Sequence, residues 1–374
     1  MSTLGVYPQQ IPLIPPVYEA QQTIDDMEIS EDVYAYPLLP IEKAESSWGA
    51  SGSVSTLNGS DATLNETIQT IVKMKVWGGP VARNFAWHHG PRDIRIVWGD
   101  GFPFSPVSHV AGICEENVHL FNKLLKNRYK FVDSLKNSEI YVCLDAHESK
   151  CRVEGACWQP NDQWVYFGKN GAQLKPYALA NAIDIVAHEL GHRVIQLHGG
   201  TPGCLAYERQ SGALNESLAD IIGITTKHFA SKSHLHDIDW SIGKGIYLDK
   251  DDLALRSFEN PNGDSTIKVE RWQPKNANGY KAYPLSKDNG GVHTNSGIPN
   301  HAFYKVVTKL GCHSWKRPTE IWLNALKSCK ADETFASFAQ LTYEGCLNTH
   351  EKNAVEKAWS EVGIIRGQET IQHV

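Results

Sequence analysis

Residues 188–192 read HELGH, and no other stretch limits the fold so tightly. Two histidines four apart share a face only if the chain is helical there, and both imidazoles then reach one zinc ion while Glu189 stands beside it. The flanks agree with a helix. Ile183, Val186, Ala187, Leu190, Val194 and Leu197 recur at three- and four-residue steps, the pattern of an amphipathic helix packed on a core. A chain with 16 histidines meets HExxH by chance about 0.04 times. The motif therefore favours a metal without settling it, since a helix with two solvated histidines reads the same way.

Two candidates compete for a third ligand. His198 follows His192 by six residues, the spacing of HExxHxxGxxH, but that geometry needs Gly where Ile195 stands and a methionine turn downstream. All three methionines, Met1, Met27 and Met74, precede the motif. His198 is instead expected to close the helix before Gly199 and Gly200. Glu216, in GALNESLADIIG, lies on a second predicted helix with Asp220 one turn later on the same face. Two His and one Glu leave a fourth position open for water, whose pKa zinc lowers toward about 7. Asp220 is placed to accept the spare ring N–H of a ligating histidine.

The rest of the chain organises around that helix. Short apolar runs at 94–98, 139–144 and 163–168, bounded by Gly, Asp and Asn, predict strands. A helix near 108–126 interrupts them. Beyond 178 the pattern turns helical, with further helices predicted near 213–231, 299–310, 317–329, 334–345 and 352–361. Residues 1–45 are punctuated by proline and acidic, and 46–67 have the Ser, Gly, Thr and Asn of a flexible connection. The expected organisation is an arm and linker over 1–67, a β-rich lobe over 68–198 that ends in the HELGH helix, and an α-helical lobe over 199–374.

Composition excludes several classes. Thirty-six Lys and Arg against 42 Asp and Glu give a net charge of −6, and no basic block exists to bind nucleic acid. No apolar run approaches the roughly 18 residues of a membrane span. The start lacks a basic segment, and Pro12, Pro15 and Pro16 interrupt its apolar stretch. No signal peptide is therefore expected: the chain is made in the cytoplasm, and any release is by a non-classical route. Eight cysteines without a CxxC pair are too few for a disulfide scaffold.

HELGH, LAYERQSGALNESLAD (205–220) and DNGGVHTNSGIPNHAFY (288–304), in this order, resemble the thermolysin family (peptidase family M4) of zinc metalloendopeptidases, in its protealysin-like branch with a short propeptide. The resemblance spans about 108–363. It implies an α+β fold of two lobes, β-rich at the N-terminal side and α-helical at the C-terminal side, with the zinc helix between them. Carried over by motif, His188, His192 and Glu216 are zinc ligands and Glu189 is the general base. Tyr207 and His293 donate to the developing oxyanion, with Asp288 holding the His293 ring. Arg256 bonds a substrate carbonyl beyond the cleaved bond, and Ala156 and Trp158 belong to the strand that pairs with extended substrate. Leu179, Ile185, Ile242, Ile246 and Leu255 match an apolar wall for the residue after the cleaved bond, so cleavage before Leu, Ile, Val or Phe is expected.

The resemblance extends to maturation, partners and ions. Pro15, Pro16 and Tyr18 look like the branch's Pro-Pro-aromatic propeptide, which implies a zymogen that trims itself, with Ser53–Val54, Thr56–Leu57 and Thr63–Leu64 as candidate bonds. Expected partners of the monomeric chain are protein or peptide substrates, its own propeptide and a protein inhibitor. Of the family's paired calcium site only Asp184 and Asp239 survive; the matching positions carry Lys227, Ser241 and Lys244, and lysines do not share a pocket with Ca²⁺. That double calcium site is therefore expected to be absent, with Lys227 and Lys244 paired to Asp184 and Asp239. Two rival readings are a proteolytically silent binding protein and a zinc aminopeptidase. The complete set of site residues opposes the first, and the lack of a GxMEN-like motif opposes the second.

Overall fold

The apolar runs of the first half pair into one sheet. A computed structural model describes residues 86–89, 94–98, 106–129, 140–144, 155–161, 163–168, 173–199, 205–369 and 371. The predicted arm and linker over 1–67, with Pro15, Pro16, Tyr18 and the candidate self-cleavage bonds, lie outside them. Strands β1 (Ala86–His89), β2 (Ile94–Trp98), β3 (Ile140–Leu144), β4 (Ala156–Gln159) and β5 (Trp164–Phe167) lie in the order β1-β2-β3-β5-β4. The β2–β3 pair is parallel, which demands a long crossover, and helix α1 (Pro106–Arg128) supplies it. On β3, Ile140, Val142 and Leu144 are buried while Tyr141 and Cys143 are half-buried, the alternation of a strand with one face on a core. The opposite face carries a stack of Tyr141, Trp164 and Tyr166. β4 pairs with β5 in antiparallel register, Ala156 opposite Phe167, and among the described residues forms an edge of the sheet.

The helical half follows the predicted order. The predicted element at 178 is two helices, α2 (Ala178–Asn181) and α3 (Ile183–His198), separated at Ala182 by an extended backbone of φ −84° and ψ 112°. Gly199 caps α3 directly after His198. Then come α4 (Arg209–Ser231), α5 (Asp288–Asn295), α6 (Gly297–Leu310), α7 (Arg317–Leu326), α8 (Phe335–Glu344) and α9 (Thr349–Glu361). Asn348 caps α9 through the Glu351 amide at 2.9 Å, and Thr334 and Ser337 form a capping box on α8. Four two-residue strands lie between α4 and α5: β6 (Ser241–Ile242) with β8 (Arg256–Ser257), and β7 (Leu253–Ala254) with β9 (Lys268–Val269). One buried apolar cluster runs from Val110 on α1 to α9 and Ile371. Near its helical end Trp322 stacks on Trp359 and meets Phe303 edge-on at 5.2 Å. Among the described residues no helix is long and apolar enough to cross a membrane.

Helices α3 and α4 lie unusually close, and two glycines allow it. A Cβ on Gly191 would stand 2.9 Å from the Cα of Ala219, and one on Gly223 would stand 2.4 Å from the carbonyl oxygen of Asp184. Nothing larger than hydrogen fits there, so the two backbones touch. Helix α4 is buried along most of its length, so its polar side chains need internal partners. Ser217 bonds Asn300 at 2.7 Å, Thr225 bonds Thr319 at 2.9 Å, and Gln210 accepts from the Phe335 amide at 2.8 Å. These bonds tie α4 to α6, α7 and α8.

Candidate active site

The contact of α3 with α4 gathers the three expected metal ligands. His188 Nε2 and His192 Nε2 are 3.2 Å apart. Glu216 Oε2 lies 3.6 Å from the first and Oε1 lies 3.5 Å from the second. A tetrahedral zinc ion with bonds of about 2.0–2.1 Å sets its ligands about 3.3–3.4 Å apart, so these spacings fit one ion. Among the described residues this is the one such group of His, Cys, Asp or Glu atoms. The donor chemistry, two imidazole nitrogens and a carboxylate, also suits zinc.

The far sides of both rings are held. His192 Nδ1 stands 2.8 Å from Asn215 Oδ1, and His188 Nδ1 stands 2.9 Å from Asp220 Oδ1. Each acceptor draws the ring proton to Nδ1 and leaves the Nε2 lone pair facing the ligand cluster. Asp220 is fully buried, and the Arg256 side chain grips it through Nε at 2.9 Å and through Nη2, while Asn300 Nδ2 adds a bond of 2.9 Å. Burial alone would raise the Asp220 carboxyl, but Arg256 and His188 outweigh it and hold the carboxyl well below the usual carboxylate range. Burial lowers His192 to about 4, so that ring is neutral, the form that ligates.

Glu189 follows His188 on α3, and its carboxyl feels the charges of His188 and Glu216. It is 3% exposed, and burial pushes its carboxyl up to about 7, against the Trp158 backbone N–H that donates to Oε2 at 2.9 Å. The edge strand β4 thus touches the expected base directly. The Trp158 ring is fixed by Nε1 donating to Gln196 at 2.7 Å.

Across the cluster stand Tyr207 and His293. The Tyr207 hydroxyl donates to Glu216 Oε1 and lies 3.2 Å from His293 Nε2. Asp288 accepts from His293 Nδ1 and binds Thr294 N and Oγ1 at 3.0 Å each. The chain turns sharply to permit this: Asn289, Gly290 and Gly291 have φ of 46°, 83° and 95°. At Gly291 a Cβ would meet Asn295 Nδ2 at 2.5 Å, so the left-handed turn also leaves no room for a side chain.

The apolar wall is partly assembled. Ile185, Ile246 and Leu255 converge around Gly243, each within 3.5 Å of where its Cβ would be. Leu179 and Ile242 are buried in the same core. Beneath lies the expected ion-pair cluster. Lys227 Nζ donates to Asp239 Oδ2 at 2.8 Å and to the Ser241 carbonyl at 2.7 Å, and Asp184 Oδ2 lies 3.4 Å away. Asp184 in turn accepts from the Gly243 amide at 3.1 Å. The other half of that expectation is not met: Lys244 is exposed, and no ion pair joins it to either aspartate among the described residues.

Four residues of the site went unread in the sequence. Asn215 and Asn300 hold His192 and Asp220, Gln196 holds Trp158, and Gln273 donates to the His293 carbonyl at 2.6 Å. One signal was available. Each ligating histidine needs an acceptor at Nδ1, and with Asp220 serving one ring a second acceptor remained to be found.

The chain is similar to known metalloproteases. The profile of the thermolysin metallopeptidase α-helical domain matches residues 203–364. Protease PrtS of Photorhabdus sp. (strain Az29) is 34% identical over 268 residues, 67% of this chain and 69% of that protein. Bacillolysin of Bacillus subtilis (strain 168) is 34% identical over 220 residues, 57% of this chain and 37% of the relative, so the match spans little more than a third of its length. The solved precursor of protealysin, a metalloproteinase from Serratia proteamaculans, superposes with a TM-score of 0.58 at 30% identity, covering 70% of this chain and 80% of that one.

Removing either acceptor behind the histidines should loosen the metal without removing a ligand. Asn215→Ala and Asp220→Asn are each expected to raise the zinc dissociation constant by about 10- to 100-fold. Competition with a fluorescent zinc chelator measures this; unchanged affinity in both variants would contradict the assignment.

Proposed function

Because the chain belongs to the thermolysin family of metalloproteases, we propose that it is a zinc-dependent endopeptidase that cleaves before bulky hydrophobic residues. The observation that carries the reading is the convergence of His188, His192 and Glu216 at tetrahedral spacing beside Glu189. A zinc ion held by those three would lower the pKa of a water toward about 7 and polarise the scissile carbonyl. Glu189, pushed up to about 7 by burial, has the basicity to take the proton of the attacking water and hand it to the departing amine. As the carbonyl carbon becomes tetrahedral its oxygen gains negative charge. The Tyr207 hydroxyl and the His293 ring, steadied by Asp288, then donate to that oxygen, and such donors typically contribute about 10²- to 10³-fold in rate.

Substrate geometry follows from the walls. An extended peptide adds to the free side of β4 near Ala156, while the Trp158 amide stays with Glu189. The side chain after the cleaved bond enters the wall of Ile185, Ile246 and Leu255, and its burial contributes about 1.5–3 kcal/mol. The same preference makes Val54, Leu57 and Leu64 candidate new N-termini for a precursor that trims itself. At the Lys227 cluster a tethered ammonium takes the place of a divalent cation, so the fold does not depend on calcium there.

An unstructured substrate such as casein should be hydrolysed, with loss on zinc chelation, recovery on adding zinc, and a fall of at least about 10²-fold in Glu189→Ala. N-terminal trimming, followed by mass spectrometry, should fail in the same variant. Activity that survives chelation or the substitution would contradict the reading. The heat-inactivation half-life should be unchanged by a calcium-selective chelator. Lys227→Met, which strands the buried Asp184 carboxylate, should lower stability by about 1–3 kcal/mol, read as Tm. A large loss of half-life on calcium chelation would overturn the internal-cation account.

A further inference from the structure

After Arg256 the chain makes an excursion and returns beside it. β7 and β9 pair in parallel register, Leu253 with Lys268 and Ala254 with Val269. Hydrogen bonds continue beyond it, with Glu270 N donating to the Ala254 carbonyl at 2.8 Å and Arg271 N to the Leu255 carbonyl at 3.1 Å. Successive amides of a regular strand point to opposite sides, so the chain twists out of the ladder after Val269, and Arg271 comes near enough to Arg256 for their charges to interact. The two guanidiniums differ in exposure. Arg256 is 3% exposed and faces Asp220, whereas Arg271 keeps part of its surface in solvent.

Its neighbours place Arg271 at the cleft. Leu255, whose carbonyl it bonds, is part of the apolar wall around Gly243. Two residues further on, Gln273 is fully buried and donates to the carbonyl of His293. Arg271 is therefore strung between the wall and the His293 loop. Burial and the charge of Arg256 depress its guanidinium, and Tyr247, Glu216 and Asp288 oppose them, so its charge is felt at a metal ligand and at the partner of His293. A guanidinium offers a planar fork of donors that matches a carboxylate through two bonds.

We propose that Arg271 is a specificity-determining residue that binds a substrate carboxylate on the amine-departing side of the cleaved bond, beyond the side chain held by the apolar wall. The carboxylate is that of an Asp or Glu residue or the free C-terminus of a short peptide. The inference rests on the endopeptidase reading and adds a charge preference to its apolar one.

The test uses quenched fluorescent peptides with Phe after the cleaved bond, in two pairs: Glu against Gln at the next position, and a C-terminal acid against its amide. For the zinc-loaded enzyme kcat/KM should favour the charged member of one or both pairs by about tenfold. That ratio should fall to about one in Arg271→Gln, stay partly in Arg271→Lys, and shrink with added salt. The pair that responds identifies the source of the carboxylate. Arg271→Glu should invert the preference toward a peptide with Lys at the position of Glu, a gain that misfolding does not produce. Equal ratios in the wild-type enzyme and Arg271→Gln for both pairs would overturn the proposal. Failure to cut even the uncharged peptides would overturn the endopeptidase reading itself.

Discussion

The separation of helices α3 and α4 governs everything at the site. Two histidines on α3 and a glutamate on α4 serve one ion only if the backbones come within touching distance. Gly191 and Gly223 make that approach possible by removing the side chains that would hold the helices apart. A single added methyl at either position would push against backbone atoms, not against a flexible side chain. The cost would fall on the ligand spacing as well as on packing. The site is thus a consequence of helix packing, and the loops only complete it.

Close packing brings charge into the core, and each buried charge is met. Asp220 has Arg256 and Asn300; Asp184 and Asp239 share Lys227; Asp288 holds His293. Unpaired, any of these groups would be costly to bury. Paired, they set orientations: Asp220 turns His188, Asp288 turns His293, and Asp184 holds the Gly243 amide beside the apolar wall. Arg256 illustrates the economy of the arrangement, since a residue expected from family resemblance to face substrate also clamps the acceptor behind a metal ligand.

Much of this was legible in the sequence for a physical reason. Helical periodicity and HExxH spacing are local signals, so α3, α4 and the ligand pair could be read from spacing alone. The third ligand could be read because Ile195 and the absence of later methionines excluded the competing geometry. What escaped depends on contacts distant in sequence. Asn300 reaches Asp220 across 80 residues, and Gln273 reaches His293 across 20. The four two-residue strands are too short to show alternation, yet β7 and β9 place Arg271. The DNGG turn showed its glycines, but the φ of 95° and the crowding by Asn295 that make Gly291 necessary come from the folded loop. The expectation for Lys244 failed because a matching position does not fix where a long exposed side chain points.

The central claim is that one zinc ion sits among His188, His192 and Glu216 with a position left open. Anomalous diffraction at the zinc absorption edge from crystals of the zinc-loaded protein tests it directly. The account predicts a single strong peak at the site, about 2.0–2.2 Å from both Nε2 atoms and from the Glu216 carboxylate, with no fourth protein ligand. A peak elsewhere, or a fourth side chain that closes the coordination, would contradict it.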